Sequence, residues 1–494
     1  MKQKLHYWIL VLFYTVILWS GVVAVAQAKA ELSDSNIDRI VGRLSFGTTS
    51  EQLAKVNSQG VEAYLQSQLE PQTVPESSIA QKYIAEFEAD YQPPLELRRE
   101  FRENRKKLVN ATNETDAKRR ELQQKVNKIR IGARDRAAQI HLARAIYSNR
   151  QLQEVMVDFW FNHFNVFANK GLVSLWLSDY ENAIRERSLG NFRDLLEATA
   201  SNPAMLIYLD NQYNTDPNSP AAKNRYKGLN ENYARELMEL HTMGVNGGYT
   251  QDDVITLARI FTGWTVDYQG RNSNNGFHFN ERRHDPGEKV FLGQKITARG
   301  IEEGKQALDI LAAHPSTAKF ISYKLAQYFV ADEPPVDLVD ALAEKFLASN
   351  GNIKVVMDAL IHSPEFSDPQ YDKQKFTTPY QYLISLARMA EIQQPNLKRL
   401  QGMLNQLSMP VYMCVPPTGY RNTQDAWLNP QAMLQRIALA TAISNQVLNR
   451  EDEIVYEELI DNVGELSPQT QNAIAESPSL RTALILGSPE AMYR

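Results

Sequence analysis

Apolar residues recur at helical spacing along almost the whole of this 494-residue chain, and the period breaks once, between Thr265 and Thr297. Such spacing commits a segment to a helix with one face buried, because residues three and four apart share a face. It is evident over Ala137 to Asn149, Leu152 to Phe167 and Leu175 to Arg187, and again from Ile301 onward, where Pro315, Pro335, Pro364, Pro379 and Pro430 stand at helix starts or breaks. In the interruption, Trp264-Thr-Val-Asp-Tyr268, Phe277-His-Phe279 and Lys289-Val-Phe-Leu292 are β-rich and separated by Gly and Asn. That pattern predicts a small antiparallel insertion near 264–297. The expected fold class is mainly α: a large multi-helical domain with a small antiparallel β insertion and a charged helical excursion.

Punctuation divides the chain further. Lys2 and Lys4 precede an apolar run from Tyr7 to Ala26, and Ala26-Gln27-Ala28 has the small-x-small form of a cleavage site, so residues 1–28 read as a signal peptide. The mature chain would then start near Lys29, in the periplasm or outside the cell. A retained anchor is the alternative, since about twenty apolar residues can span a bilayer. Short helices are expected over 29–93, a charged excursion over 94–135, the main helical domain over 136–450 and a helical tail over 451–494. The Arg and Lys clusters of the excursion interleave with Glu, as on a solvated surface. Cys414 is the sole cysteine, so an exported chain must rely on core packing without an internal disulfide, and its 43% hydrophobic content can supply that core. A net charge of −5 gives no global attraction to nucleic acid or, beyond the signal segment, to membrane.

Three groups of residues could carry chemistry. Asn232, Glu236 and Glu239 are four and then three residues apart and share a helical face bordering the apolar one of Tyr233 and Leu237, where carboxylates meet a cleft more readily than open water. Glu231/Arg235 and Arg235/Glu239 are also ordinary helical ion-pair spacings. In Asp158-Phe-Trp-Phe-Asn-His163, an aromatic helix places Asp158 and Asn162 on one face with His163 beside them, suited to a metal or a proton relay, or to a hydrogen-bonded core. His278, His284, Asp285 and Lys289 lie in or beside the β insertion, although Asp285-Pro-Gly287 is a good turn in its own right. His-Glu-x-x-His, phosphate-cradling Gly-rich loops and paired Cys-x-x-Cys are all missing from the sequence.

Taken together, Phe161-Asn-His-Phe-Asn-Val166, Asn230-Glu-Asn-Tyr-Ala-Arg-Glu-Leu-Met-Glu-Leu-His241, Gly247-Gly-Tyr-Thr-Gln-Asp-Asp-Val254, Phe261-Thr-Gly-Trp264, His284-Asp-Pro-Gly-Glu-Lys289, His314-Pro-Ser-Thr-Ala-Lys-Phe-Ile321, Pro416-Pro-Thr-Gly-Tyr420 and Trp427-Leu-Asn-Pro430 resemble the secreted bacterial family called domain of unknown function 1800. The resemblance runs from about Arg39 to Ala442. It implies a mainly helical fold and a secreted sulfatase-like partner protein, and it carries no established reaction. His241 stands where an aromatic residue is the family's common choice.

Two functions are compatible with these residues. One is a hydrolase or modifying enzyme for a carbohydrate-like substrate, with His163, Glu236, Glu239 and Asp285 catalytic and Asn162, Asn232, Arg235, Lys289 and Trp427 contacting substrate. It would use either a divalent metal (Zn, Mn or Fe) on His163, Glu236 and His284, or one carboxyl of raised pKa beside an ionised neighbour. The other is a non-catalytic binding or assembly partner, with the same groups forming a buried network.

Overall fold

Helix starts are fixed by side chains that satisfy the free N–H groups of a first turn. The computed structural model describes residues 37–494 apart from 113, 224, 225, 227, 394, 446–453 and 455. The expected signal segment, residues 1–28, lies outside the described residues. The first helices are α1 (Ile37–Leu44), α2 (Ser50–Gln59), α3 (Val61–Leu69) and α4 (Ser78–Ala89). Thr49, one residue ahead of Ser50, caps α2 by accepting from the Gln52 N–H, and Gly60 ends it at a φ of 83°.

The charged excursion is a helical hairpin of α5 (Pro94–Asn110) and α6 (Asp116–Tyr147), packed through Leu97, Phe101, Leu122, Val126 and Ile129. Arg99, Arg102, Lys106, Lys118 and Arg120 face solvent. The 32-residue α6 continues without a break into the main body, where Ala137, Ala138, Leu142 and Ile146 are buried. There it meets α7 (Gln151–His163) and α8 (Leu177–Arg185).

Next come α9 (Phe192–Ala200), α10 (Pro203–Tyr208) and α11 (Glu231–Glu236), the last running on as a π-helix over Leu237–Thr242. The wider turn shows in the backbone: the Met243 N–H donates to the Met238 carbonyl at 2.9 Å, five residues back. Helix α12 (Gln251–Ile260) opens with a reciprocal capping box between Thr250 and Asp253, the acid taking the place usually held by Glu or Gln.

The β insertion falls where the period changes. Strands β1 (Trp264–Val266) and β2 (Phe277–Phe279) pair antiparallel with Thr265 opposite His278, and β3 (Val290–Phe291) pairs antiparallel with β4 (Gln294–Lys295). Helices resume with α13 (Ile301–Ala312) and α14 (Pro315–Phe329) and continue to the C-terminal end. Gly304 on α13 leaves room for the buried Trp264 ring, which a Cβ there would approach to 2.4 Å. One contiguous apolar core, containing Trp160, Trp176 and Trp264, joins these elements. Among the described residues no helix is long and apolar enough to cross a membrane.

Candidate functional site

The acidic stripe forms on α11 and its π extension. Tyr233 and Leu237 are fully buried, Glu236 and Glu239 are partly exposed, and Asn232 faces solvent. Arg235 lies 3.5 Å from both Glu231 and Glu239 and donates to the Gln251 side chain at 2.8 Å. Among the described residues no donor is hydrogen-bonded to the Glu236 carboxylate. Burial, and then the neighbouring Glu239, raise its pKa against the opposing pull of Arg235.

His163 points elsewhere. Its ring is buried and packs against Phe159, Trp160, Phe164 and Phe320, while Nε2 donates to the His241 carbonyl at 3.1 Å. Burial, reinforced by His241 and Lys324, holds its pKa well below the usual histidine value, and burial alone brings His241 down to about 3. Both rings are therefore neutral at physiological pH. Asn162, on the same helix, clamps the Pro416–Tyr420 loop: its amide donates to the Tyr420 carbonyl at 2.8 Å and accepts from the Tyr420 N–H at 2.7 Å. Gly419 makes this approach possible, with a φ of 71° and a Cβ position only 2.2 Å from the Asn162 carbonyl oxygen. Trp427 closes its own turn by donating to Arg421 O at 2.7 Å.

The third group is consumed internally. His284 Nδ1 is 3.0 Å from Thr262 O, and its Nε2 is 3.3 Å from Glu303 on α13. Lys289, whose side chain has 0% exposure, touches Glu303 at 2.7 Å and donates to the carbonyls of Asp285 (2.5 Å) and Gly287 (3.0 Å). Asp285 receives Arg259 from α12 at 2.7 and 3.3 Å. Burial opposes ionisation of Asp285 and Glu303, yet these bonded cations and hydrogen bonds keep both below the usual carboxylate range. His278 is partly exposed and, among the described residues, pairs only through its backbone in β2. Thus the structure draws His284, Asp285 and Lys289 together but gathers neither His163 nor Glu236 with them. Among the described residues no three His, Cys, Asp or Glu side chains are grouped as a metal site, so His163, Glu236 and His284 form no such set.

A fourth cluster was overlooked in the sequence. Arg185 on α8 grips Glu154 on α7 at 2.7 and 3.1 Å and Glu181 at 2.8 Å; Glu181 also contacts His141 on α6 at 3.1 Å and accepts from the Tyr412 hydroxyl. Burial works against every charge here. His141 and Arg185 nevertheless hold Glu181 well below the carboxylate range, and Glu181 raises His141. The signal was present: Glu181 and Arg185 share the face of α8 that carries Leu177 and Ile184, where a solvated pair would not sit.

Asp158, next to this cluster, accepts from the Tyr328 hydroxyl at 3.3 Å, and burial pushes its pKa up to about 6 despite the attraction of His141. The folded carboxyl thus keeps a proton that the unfolded one releases near pH 4, so stability falls as pH rises from about 4 through 6. Asp158→Asn removes that fall and still accepts from Tyr328. Thermal melts should show the variant gaining on the parent by on the order of 1–3 kcal/mol between pH 4 and pH 7. Parallel melting profiles across that range would contradict it.

A family model described as "Protein of unknown function (DUF1800)" matches residues 39–493. Neither a curated protein nor a solved structure matches the chain.

Proposed function

We propose, from the premise that the chain belongs to the DUF1800 family over residues 39–493, that it is an exported binding or assembly protein whose His and carboxylate motifs build its frame. The carrying observation is how those groups are used: His163 is packed among rings, and His284, Asp285 and Lys289 are bonded to Thr262, Glu303 and Arg259. The secreted sulfatase-like protein implied by the family resemblance is the partner this reading favours. Buried groups whose contacts run to neighbouring elements hold those elements against one another.

A second reading is favoured by one residue. Glu236 is partly exposed, unbonded and raised in pKa, the properties of a general acid acting on a carbohydrate-like substrate beside Glu239. Asn232 and Arg235 would border that substrate, and a divalent metal remains compatible with it.

Glu236→Gln separates the two, because it keeps the shape while removing the charge and the titrating proton. The binding reading expects the variant and parent to associate equally with the purified sulfatase-like partner in sedimentation, and neither to release reducing ends from a polysaccharide panel. Turnover by the parent that drops by about 100-fold in Glu236→Gln, with melting unchanged, would establish the second reading in its place.

A further inference from the structure

A cavity of about 360 Å³ opens between α4, α6 and α8, apart from every residue the sequence singled out. Its walls join apolar Phe87 and Ile140 to Tyr91, Arg144, Asn182 and Arg185. That mixture of apolar surface and a few convergent polar groups, at the small end of the usual ligand-site range, suits a compact organic molecule.

The cations of this wall are not equivalent. Arg185 is committed to Glu154 and Glu181, and Arg136, also on the wall, donates to the Asp90 carbonyl at 2.5 Å. Arg144 is partly buried, its Nε is shielded from solvent and meets no acceptor, and among the described residues no group accepts a hydrogen bond from its guanidinium. Of the carboxylates nearby, Glu154 and Glu181 are engaged by Arg185 and Glu76 by the Ser148 hydroxyl at 2.9 and 3.0 Å, while Glu88 stands exposed to solvent on the cavity's wall. A guanidinium on the cavity wall whose Nη groups have no acceptor among the described residues is matched by an oxyanion that can take two N–H bonds.

We propose that this cavity binds a small organic anion, a carboxylate- or sulfate-bearing molecule of about one ring's size, with its oxyanion on Arg144 and its ring against Phe87 and Ile140. The inference rests on the binding reading and names a ligand for it. The same anionic group could come from an aromatic acid or from an acidic sugar.

Calorimetric titration of the full chain at low salt tests it with benzoate and glucuronate, using benzyl alcohol and glucose as uncharged counterparts. At least one anion should bind saturably at millimolar concentration, its uncharged counterpart should not, and the tighter anion identifies the source. Arg144→Gln should weaken that binding by about tenfold or more, and Arg144→Lys, which keeps the charge but loses the fork, by less. Melting of Arg144→Gln should not fall, since no internal bond is lost, and Arg119→Gln on the exposed hairpin should bind as the parent does. Saturation by neither anion, equal binding of charged and uncharged probes, or binding indifferent to Arg144→Gln would each overturn the proposal. Sedimentation with the protein partner is a separate readout, so failure of anion binding alone leaves the assembly reading standing.

Discussion

Arg185→Met should lower folding stability by about 3–5 kcal/mol, the cost of stripping one partner from a buried ion cluster. The guanidinium neutralises Glu154 and Glu181, whose side chains are 3% and 4% exposed. Methionine fills much of the same volume but donates nothing. Glu154 then loses both of its charge-assisted bonds, and Glu181 retains only His141 and Tyr412. Urea unfolding at pH 7 would read the loss directly, and acidification should narrow the gap between variant and parent as the stranded carboxylates take up protons. A triple replacement with Glu154→Leu and Glu181→Met should recover part of the stability, because the apolar cluster carries no charge to desolvate while His141 and Tyr412 lose their acceptor. A single-variant loss below about 1 kcal/mol would place the cluster among ion pairs of little consequence.

Lys289→Met should be comparably damaging, at about 3–5 kcal/mol, although the residue lies in a turn-rich segment where substitutions are ordinarily mild. The amine is the hub that joins the Asp285–Gly287 turn to Glu303 on α13. Removing it leaves Glu303 with His284 alone and two carbonyls without their donor. The pH dependence has a definite sign. Glu303 is held below its ordinary range in the parent, so its contribution is present above about pH 4 and is lost as pH falls through the folded value. The variant lacks much of that contribution, so its deficit should shrink in acid. Hydrogen exchange should localise the damage to 284–291 and the facing turns of α12 and α13. An undiminished melting temperature would remove the network from the frame of the protein.

What could be read ahead of the structure was whatever the chain encodes locally. The insertion announced itself through the period change from Trp264 to Leu292, and Thr250 and Asp253 through cap chemistry. Ser174 has the chemistry of a cap for the segment Leu175 to Arg187, yet it sits inside a 3₁₀ turn, Val173–Trp176, because α8 begins only at Leu177. The π turn left no trace, since a bond to the fifth residue back requires no special side chain. For the candidate site, proximity along one helix was legible: Glu236 beside Glu239, and Arg235 between two acids. Meeting between helices was not. Whether His163 faces Glu236 or Phe320 depends on how α7 rotates against α14, and the Glu154–Arg185 pairing joins two helices whose own spacing carries no mark of each other.

The π turn also gives this helix an adjustable length. Its backbone bonds enclose one residue more than an α turn does, so a deletion between Leu237 and Thr242 would let the segment tighten to α geometry with its bonding intact. Because the wide turn already holds the extra residue, the helix on either side of the deletion would keep its bearing. Sequence length at this one spot thus carries slack: a single codon can be lost while the Glu236 face holds its direction and the helix survives.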